Sequence, residues 1–483
     1  MKKLFLLLVF VLVGIGCSDN LSSLNENEKS PTMVPAEVLF TNAQKTLTNQ
    51  IVNTSVNSNI FRLVSQQWTE TTYIDESNYD WSTRKISDNV WASLYAGTLA
   101  DLENARISLL NLNIDPSQTD QIGIRKNKLA MIDIVMVYTY QILVDIFGDI
   151  PYSEALKGDS NYLPKYDNAL TIYSSLISRL DNDLSNLSNN YSNFDNADVI
   201  YNGNLSKWIK LANSIKLKLG INLLASNTNN TLANSTIISA VSGGVLSSNA
   251  DNCKTPYELN SPNQNPLYLD LVASGRSDFV VTKPFVDKLI QLNDPRRPLY
   301  TNGNPNGGIV GQLNPYGSFT HIGAIIKTPN FKGTLLDYAE VEFLLAEAVE
   351  RGVALGGTAE NHYNNAITAS MLDWGVAQND ITTYLAQPSV AYSTAIGTWQ
   401  QKIGEQAWLG FYNRGFEAWT SYRRLNYPNL IPSPNANADA EGKVPVRMKY
   451  PIREQTLNPS NYQSAAAAIG GDKLTTKIFW DVN

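Results

Sequence analysis

Residues 336–374 read LDYAEVEFLLAEAVERGVALGGTAENHYNNAITASMLDW. Tyr338, Val341, Leu345, Ala348 and Val349 recur at three- and four-residue spacing. That spacing predicts one apolar stripe on a helix over about 336–351. Gly352 stops it, and Gly356-Gly357 turns the chain. Tyr363, Ala366, Ile367, Ser370 and Met371 then mark a second helix over about 358–374. Ala346 and Ala366 are small where two helices would approach. A helix–turn–helix of about 34 residues has the size of a tetratricopeptide unit. Such pairs cannot bury their apolar faces singly, so they stack and leave loops to one side.

The same spacing governs the chain on the N-terminal side. Leu129, Ile132, Val135, Met136, Thr139, Ile142, Leu143 and Ile146 form a stripe in 128–147. Trp208, Leu211, Ala212, Ile215, Leu219 and Leu223 do so in 205–226, with Asn204 or Ser206 able to cap the start. Residues 66–90, 250–282, 294–333 and 428–465 are rich in Pro, Gly, Asn and Tyr and read as long loops. Their aromatic content points to loops packed over a core, not to disorder. The expected fold is all-α: tetratricopeptide-like helix pairs in one superhelical domain, 36–483, decorated by long packed loops with few short strands.

Composition narrows the function. The 483 residues carry 37 Lys and Arg against 44 Asp and Glu, a net charge of −7. Without a basic footprint, nucleic acid is not an expected partner. Two Cys exclude a disulfide scaffold and a Cys₂His₂ or Cys₄ zinc site. Charged residues make up 17%, below the roughly 25% of an average domain, so polarity rests on neutral side chains.

The first residues set the compartment. Met1-Lys2-Lys3 is a basic n-region, and Leu4 to Val13 is an apolar run too short to span a bilayer permanently. Gly14-Ile15-Gly16-Cys17 follows as a lipobox, with Gly14 where Leu is usual. Cleavage after Gly16 makes 1–16 a lipoprotein signal peptide and Cys17 the lipidated residue, with 17–35 as tether. Acyl chains add about 0.8 kcal/mol per buried methylene, so a multiply acylated Cys17 anchors firmly. Loss of Lys2 and Lys3 leaves the mature chain at net −9. Cys253 has no partner and reads as a small buried hydrophobe. The most apolar later segment, Met131 to Phe147, contains Asp133, Gln141 and Asp145 and does not read as a membrane span.

Catalytic signatures are missing. His321 and His362 are the only histidines, and neither adjoins a nucleophile motif such as G-x-S-x-G. No phosphate-binding glycine motif occurs. Glu340, Glu342, Glu347 and Glu350 share one helix, where solvation or salt links explain them better than the paired-carboxylate work of a glycosidase. Asn435, Asn437, Asp439 and Glu441 alternate like calcium ligands but lack the Gly and the final Glu of such a loop. No catalytic residue, metal or cofactor is therefore assigned.

Ligand chemistry concentrates in one loop. Trp68, Tyr73, Tyr79, Trp81 and Trp91 are interleaved there with Thr69, Glu70, Asp75, Glu76, Asn78, Asp80 and Arg84. Flat rings beside short polar groups suit a ligand with an apolar face and many hydroxyls or amides. Each aromatic contact adds about 0.5–1.5 kcal/mol beyond its buried area. Helical spacing from Trp91 to Leu94 and Tyr95 assigns Trp91 to the core instead. The binding candidates are Trp68, Tyr73, Tyr79, Trp81 and Arg84, with Tyr268, Arg276 and Tyr316 as weaker additions from other loops.

Several ordered segments carry a resemblance. Leu143-Val-Asp-Ile-Phe-Gly-Asp-Ile-Pro-Tyr152 resembles the D-x-x-G-D-x-P-Y segment of the SusD/RagB family. Pro164-Lys-Tyr-Asp167 with Ile172-Tyr173 is similar to its P-x-Y-D…I-Y. Tyr201-Asn-Gly-Asn204, Lys207-Trp208 and Ala212-Asn-Ser214 match its Y-x-G…K-W…A-N-S helix. Gly275 to Phe279, Asn293 to Arg296, Tyr338 to Val341 and Leu345 to Ala348 follow in order. So do Glu417-Ala-Trp419, Arg423-Arg424, Arg447-Met448 with Tyr450-Pro451, and Asn458. The resemblance covers nearly all of the mature chain. It implies an all-helical, non-enzymatic, outer-membrane lipoprotein of Bacteroidetes facing the cell exterior. It implies a hinged lid over a SusC-type TonB-dependent transporter, binding oligosaccharide or, in some members, oligopeptide. A surface hydrolase and a scaffold without a small-molecule site are the rival readings.

Overall fold

The computed structural model describes residues 34–483, of which Ala36–Asn483 form one compact unit. The signal peptide, Cys17 and nearly all of the tether lie outside the described residues.

Short polar side chains start many of the helices. Helix α1 spans Ala36–Val52. It packs on α2, Ala100–Leu110, which continues from Ile86–Ala92 through a π-helical stretch, Ser93–Leu99. Helix α3 is Thr119–Phe147 and α4 is Ala169–Asn186, the latter capped by Asn168, which accepts from the Leu170 and Thr171 amides. Helix α5, Leu205–Ala225, is capped by Asn204 at 3.2 Å from the Lys207 amide, and α6 is Asn230–Gly243. Asp337 caps α7, Tyr338–Glu350, and Thr358 caps α8, Ala359–Asp373. Thr398 caps α9, Trp399–Gly410, and α10, Gly415–Leu425, follows. Each cap contributes about 1 kcal/mol and fixes where its helix begins.

Consecutive helices pair: α3 with α4, α5 with α6, α7 with α8, α9 with α10. Neighbouring pairs join through α4 on α5, α5 on α7 and α7 on α9, so the stack is continuous. Gly220 sets the α5–α6 distance, since a Cβ there would meet Ile237 Cγ1 at 2.7 Å. The boundaries expected around 338–373 and 205–225 agree with the structure to within two residues. The α3 boundary does not. Its polar first turns, with Asp120, Arg125 and Lys126, hide the start from apolar periodicity. From Ala130 onward α3 is buried on nearly every side, not along one stripe, as for a central core helix. It is the one described helix long and apolar enough to cross a membrane by length and composition, and it lies inside the protein.

Buried ion pairs bind the stack together. Lys218 of α5 reaches Glu340 of α7 at 3.0 Å and Glu417 of α10 at 2.5 Å. Arg414 joins Asp337 at 2.9 Å and Glu340 at 2.5 Å. Glu347 is held by Arg351 at 2.9 Å and Arg424 at 2.8 Å. The family-like segments are structural in the same way. Asp145 accepts from Trp480 Nε1 at 2.8 Å and from the Tyr173 hydroxyl. Trp208 is fully buried and donates to Asp198 at 2.7 Å. Cys253 is buried and free.

Three two-stranded antiparallel sheets pin the loops. Strand β1, Trp68–Glu70, pairs with β5, Phe279–Val281; β2, Ile150–Pro151, pairs with β3, Tyr166–Asp167; β4, Cys253–Thr255, pairs with β6, Gly333–Leu336. The stretch expected as loop over 428–465 is partly helical, at Ile452–Leu457 and Pro459–Ala468. Pro at the first helical position starts the second of these.

Candidate functional site

The β1–β5 register decides what the aromatic loop can do. Trp68 pairs with Val281, Thr69 with Val280 and Glu70 with Phe279. Thr71 extends the pairing, its amide donating to Asp278 O at 2.9 Å and its hydroxyl to Ser277 O at 2.8 Å. The strand thus leaves the core at Thr71, and the chain beyond it reaches the surface. Tyr73 is 63% exposed there.

A cleft of about 240 Å³ opens at this point. Its walls are the segment after α1, from Thr54 to Asn57, the Glu70–Tyr73 stretch, Arg84, and the Asp270–Phe279 stretch. Asp270 ties two walls together, accepting from the Thr54 hydroxyl at 2.8 Å and amide at 3.2 Å. Arg276 Nε donates to Asp278 at 2.5 Å, the Arg276 side chain being largely exposed and that of Asp278 partly so. Arg84, half-exposed, pairs with the fully buried Glu76. Glu70 closes the floor, accepting from the Ser77 amide at 2.8 Å. Burial, and then the neighbouring Glu76, push the Glu70 carboxyl up to about 9, so it is protonated at neutral pH. The cleft therefore offers one free phenol face, two guanidinium groups, two carboxylates and several hydroxyls.

Three of the eight sequence candidates, Tyr73, Arg84 and Arg276, meet in this cleft. Three others belong to the core and present no face to a ligand in this structure. Trp68 is 1% exposed, donates Nε1–H to the Tyr412 hydroxyl at 3.0 Å and lies under the Arg62 guanidinium at 4.9 Å. Tyr79, also 1% exposed, sits at φ 68° against Trp81, ring centroids 6.2 Å apart, and burial pushes its phenol up to about 12. Trp81 is buried, donates to Glu76 O at 3.2 Å and borders a small recess beside Asp88 and Tyr450. The physical reason is shared: large flat rings next to a two-stranded sheet gain more by covering it than by facing water.

Two candidates flank the cleft without lining it. Tyr268 ends the short helix Pro266–Tyr268, just before the Asp270 wall. Tyr316 stacks on His321, centroids 3.8 Å apart, and His321 Nε2 lies 2.8 Å from Tyr316 O. That loop reaches β1 through Asn314, whose amide donates to Thr71 O at 2.9 Å. Trp91 packs edge-on to Phe147 at 5.1 Å, in the core. Sequence reasoning missed Thr54 and Asp270 as site residues. Thr54 stands near no aromatic in sequence and Asp270 lies two residues after Tyr268; only the fold brings them to Tyr73.

A larger cavity, about 290 Å³, is lined in part by Ile51, Val52 and Leu267, close in sequence to the Thr54–Asn57 and Asp270 walls of the cleft. Ile51, Leu267, Phe331, Trp374, Tyr412 and Arg414 line it; Asp337, Arg414 and Glu417 belong to the ion pairs of the helix stack, Lys254 pairs with Asp373, and Lys332 is exposed at its edge. We place the candidate site in the smaller cleft, where exposed polar groups and an exposed ring coincide. Among the described residues no cluster of three or more His, Cys, Asp or Glu is placed to hold a metal. Asp439 and Glu441 of the alternating Asn/Asp loop pair with Lys449 and Lys473. His362 Nδ1 meets Glu342 at 2.6 Å, and the hydrogen bond to that carboxylate holds the imidazole above its usual range.

Comparison with solved structures agrees with the helical architecture. A chitin-binding protein aligns at 26% identity over 93% of this chain and 100% of its own, TM-score 0.78. A chitin-binding SusD homologue from Flavobacterium johnsoniae aligns at 22% identity over 92% and 99%, TM-score 0.76. A SusD homologue from Bacteroides uniformis aligns at 24% identity over 92% and 99%, TM-score 0.75. No curated protein matches the chain. The family model that matches residues 27–451 is SusD-like, described as starch-binding and associating with the outer membrane, and the chain belongs to that family.

Proposed function

We propose that this protein is a cell-surface nutrient-binding lipoprotein, anchored in the outer membrane through Cys17. Its ligand is an oligosaccharide, and it acts as the lid of a SusC-type TonB-dependent transporter. The observation that carries the reading is the convergence of Tyr73, Arg84, Arg276, Asp270 and Asp278 on one open cleft. A pyranose C–H face stacks on a phenol ring, while guanidinium and carboxylate groups bond paired hydroxyls. At about 240 Å³ the cleft is smaller than the roughly 300–1,000 Å³ of typical small-molecule sites, so it takes a unit or two of a longer chain. Family membership and the chitin-binding structural relatives support a glycan.

The protein binds and does not catalyse. Glu340 and Glu347, the carboxylates best spaced for paired chemistry, are buried and held by Lys218, Arg414, Arg351 and Arg424. A lid works if ligand binds the closed state more tightly than the open one; only that difference moves the equilibrium. Oligopeptide is the second reading, since Tyr73 and the arginines also suit peptide side chains and carboxylates. Titration calorimetry with N-acetylglucosamine and glucose oligomers, against mixed oligopeptides, tests the choice. Saccharide binding weakened by Tyr73→Ala supports the glycan reading. Peptide binding alone replaces it with the second, and binding of neither leaves the scaffold reading.

A further inference from the structure

We infer that the cleft selects glycan units without an anionic group, neutral or amino sugars, and rejects uronates. The inference rests on the proposal that the cleft holds a glycan, and goes further by assigning the charge class.

Two arginines at a cleft ordinarily point to an acidic ligand. Here both are already engaged. Arg276 is paired with Asp278, and Arg84 with Glu76. A third carboxylate, Asp270, lines the same cleft and makes no ion pair among the described residues; its hydrogen bonds come from Thr54. A further cation, Arg62, acts on Asp270 from behind the cleft. It is buried, does not line the cleft, and donates to Val52 O, Asn53 O and Asn413. Glu70 on the floor is protonated at neutral pH and adds no charge. Two carboxylates, Asp270 and Asp278, thus line the cleft against two guanidinium groups, and behind them Glu76 faces Arg84 while Arg62 acts on Asp270, so no positive charge is in excess.

An anionic unit entering this cleft must displace Asp278 or Glu76 from an arginine and also approach Asp270. A sugar hydroxyl faces neither cost. The paired guanidinium of Arg276 keeps both terminal amino groups free as donors, since only Nε is bonded. The carboxylates retain lone pairs as acceptors. The cleft is therefore rich in hydrogen-bonding capacity and poor in net positive charge. An ammonium-bearing sugar meets Asp270, the lining carboxylate that makes no ion pair among the described residues, and is accepted.

The test uses the full mature chain and three hexamers in titration calorimetry. One is N-acetylglucosamine, one is its deacetylated glucosamine form, and one alternates N-acetylglucosamine with glucuronate. The expected result is glucosamine binding at least as tightly as N-acetylglucosamine, and the glucuronate hexamer at least ten-fold weaker. The discrimination should shrink in about 1 M salt, where the screening length is about 3 Å. Asp278→Asn, an exposed change, releases Arg276 and should raise glucuronate affinity relative to neutral by up to about five-fold. Glucuronate binding as tight as neutral in the natural protein would overturn the inference. So would a discrimination that salt and Asp278→Asn both leave unchanged, since it would then be steric. Binding of no saccharide at all removes the glycan reading itself, a result distinct from either.

Discussion

Replacing Lys218 by Met removes the one ammonium shared by Glu340 and Glu417 while keeping an unbranched apolar stem as far as Cε. All three groups are almost fully buried, with Lys218 at 1% side-chain exposure. Arg414 remains as the single cation for Asp337, Glu340 and Glu417. Removing one partner of a buried pair costs about 3–5 kcal/mol, because a charge is left without compensation. The cost depends on pH, and its sign can be worked out. Burial, and then Glu340, already push Glu417 up to about 7. Burial also acts on Glu340, but Lys218 and Arg414 outweigh it and hold that carboxyl at about 2.

In the natural protein, Glu417 stabilises the fold fully below the ordinary carboxylate range, and that contribution fades as pH rises through about 7. Glu340 contributes above the ordinary range, and its contribution is lost as pH falls towards 2. Without Lys218 both carboxyls move up. At pH 5 one of them takes a proton readily, so Lys218→Met costs least there. At pH 8 the pair must either hold a proton well above the unfolded carboxylate range or leave two carboxylates facing one another, and the cost reaches about 3–5 kcal/mol. Reversible urea unfolding at both pH values measures it. Adding Glu417→Gln to Lys218→Met should recover part of the loss at pH 8 and little at pH 5. A loss below about 1 kcal/mol at pH 8, or one independent of pH, would refute the reasoning.

Trp68→Ala should destabilise by about 3–5 kcal/mol, as for a buried Trp, lowering the unfolding midpoint in circular dichroism. Glu70→Gln copies the protonated acid and should leave stability within about 0.5 kcal/mol at acidic pH, below the ordinary carboxylate range. Because the natural Glu70 is raised, its stabilisation is complete below the ordinary carboxylate range and is lost as pH climbs through about 9. The variant should therefore be the more stable protein at pH 10 in a thermal melt. Cys17→Ser, expressed with its signal sequence, should move the protein from the detergent phase to the aqueous phase in a phase-separation assay.

The helix stack was legible because its signals are local. Asn204, Gly352 and the apolar positions of 338–373 lie within a few residues of what they determine. The start of α3 was hidden, since Asp120, Arg125 and Lys126 break the apolar pattern while the helix continues. The site was half legible. Trp68, Tyr73, Tyr79 and Trp81 look alike in sequence. Whether each faces core or solvent depends on β1 pairing with β5, some 210 residues away. Asp270 and Thr54 carried no signal, because their meeting is a product of the fold. Arg276 and Arg84 were recognised as candidates, but their carboxylate partners, which change what they can bind, became visible only in the structure.

The most direct test of the central claim is a calorimetric titration of N-acetylglucosamine hexamer into the natural protein and into Tyr73→Ala. Tyr73 is exposed, so the substitution leaves stability within about 0.5 kcal/mol. Loss of a stacking face costs about 1–2 kcal/mol. The expected result is binding by the natural protein and a five- to thirty-fold weaker constant in the variant, with an unchanged melting temperature. Equal affinity in the two proteins would contradict the assignment of this cleft as the glycan site.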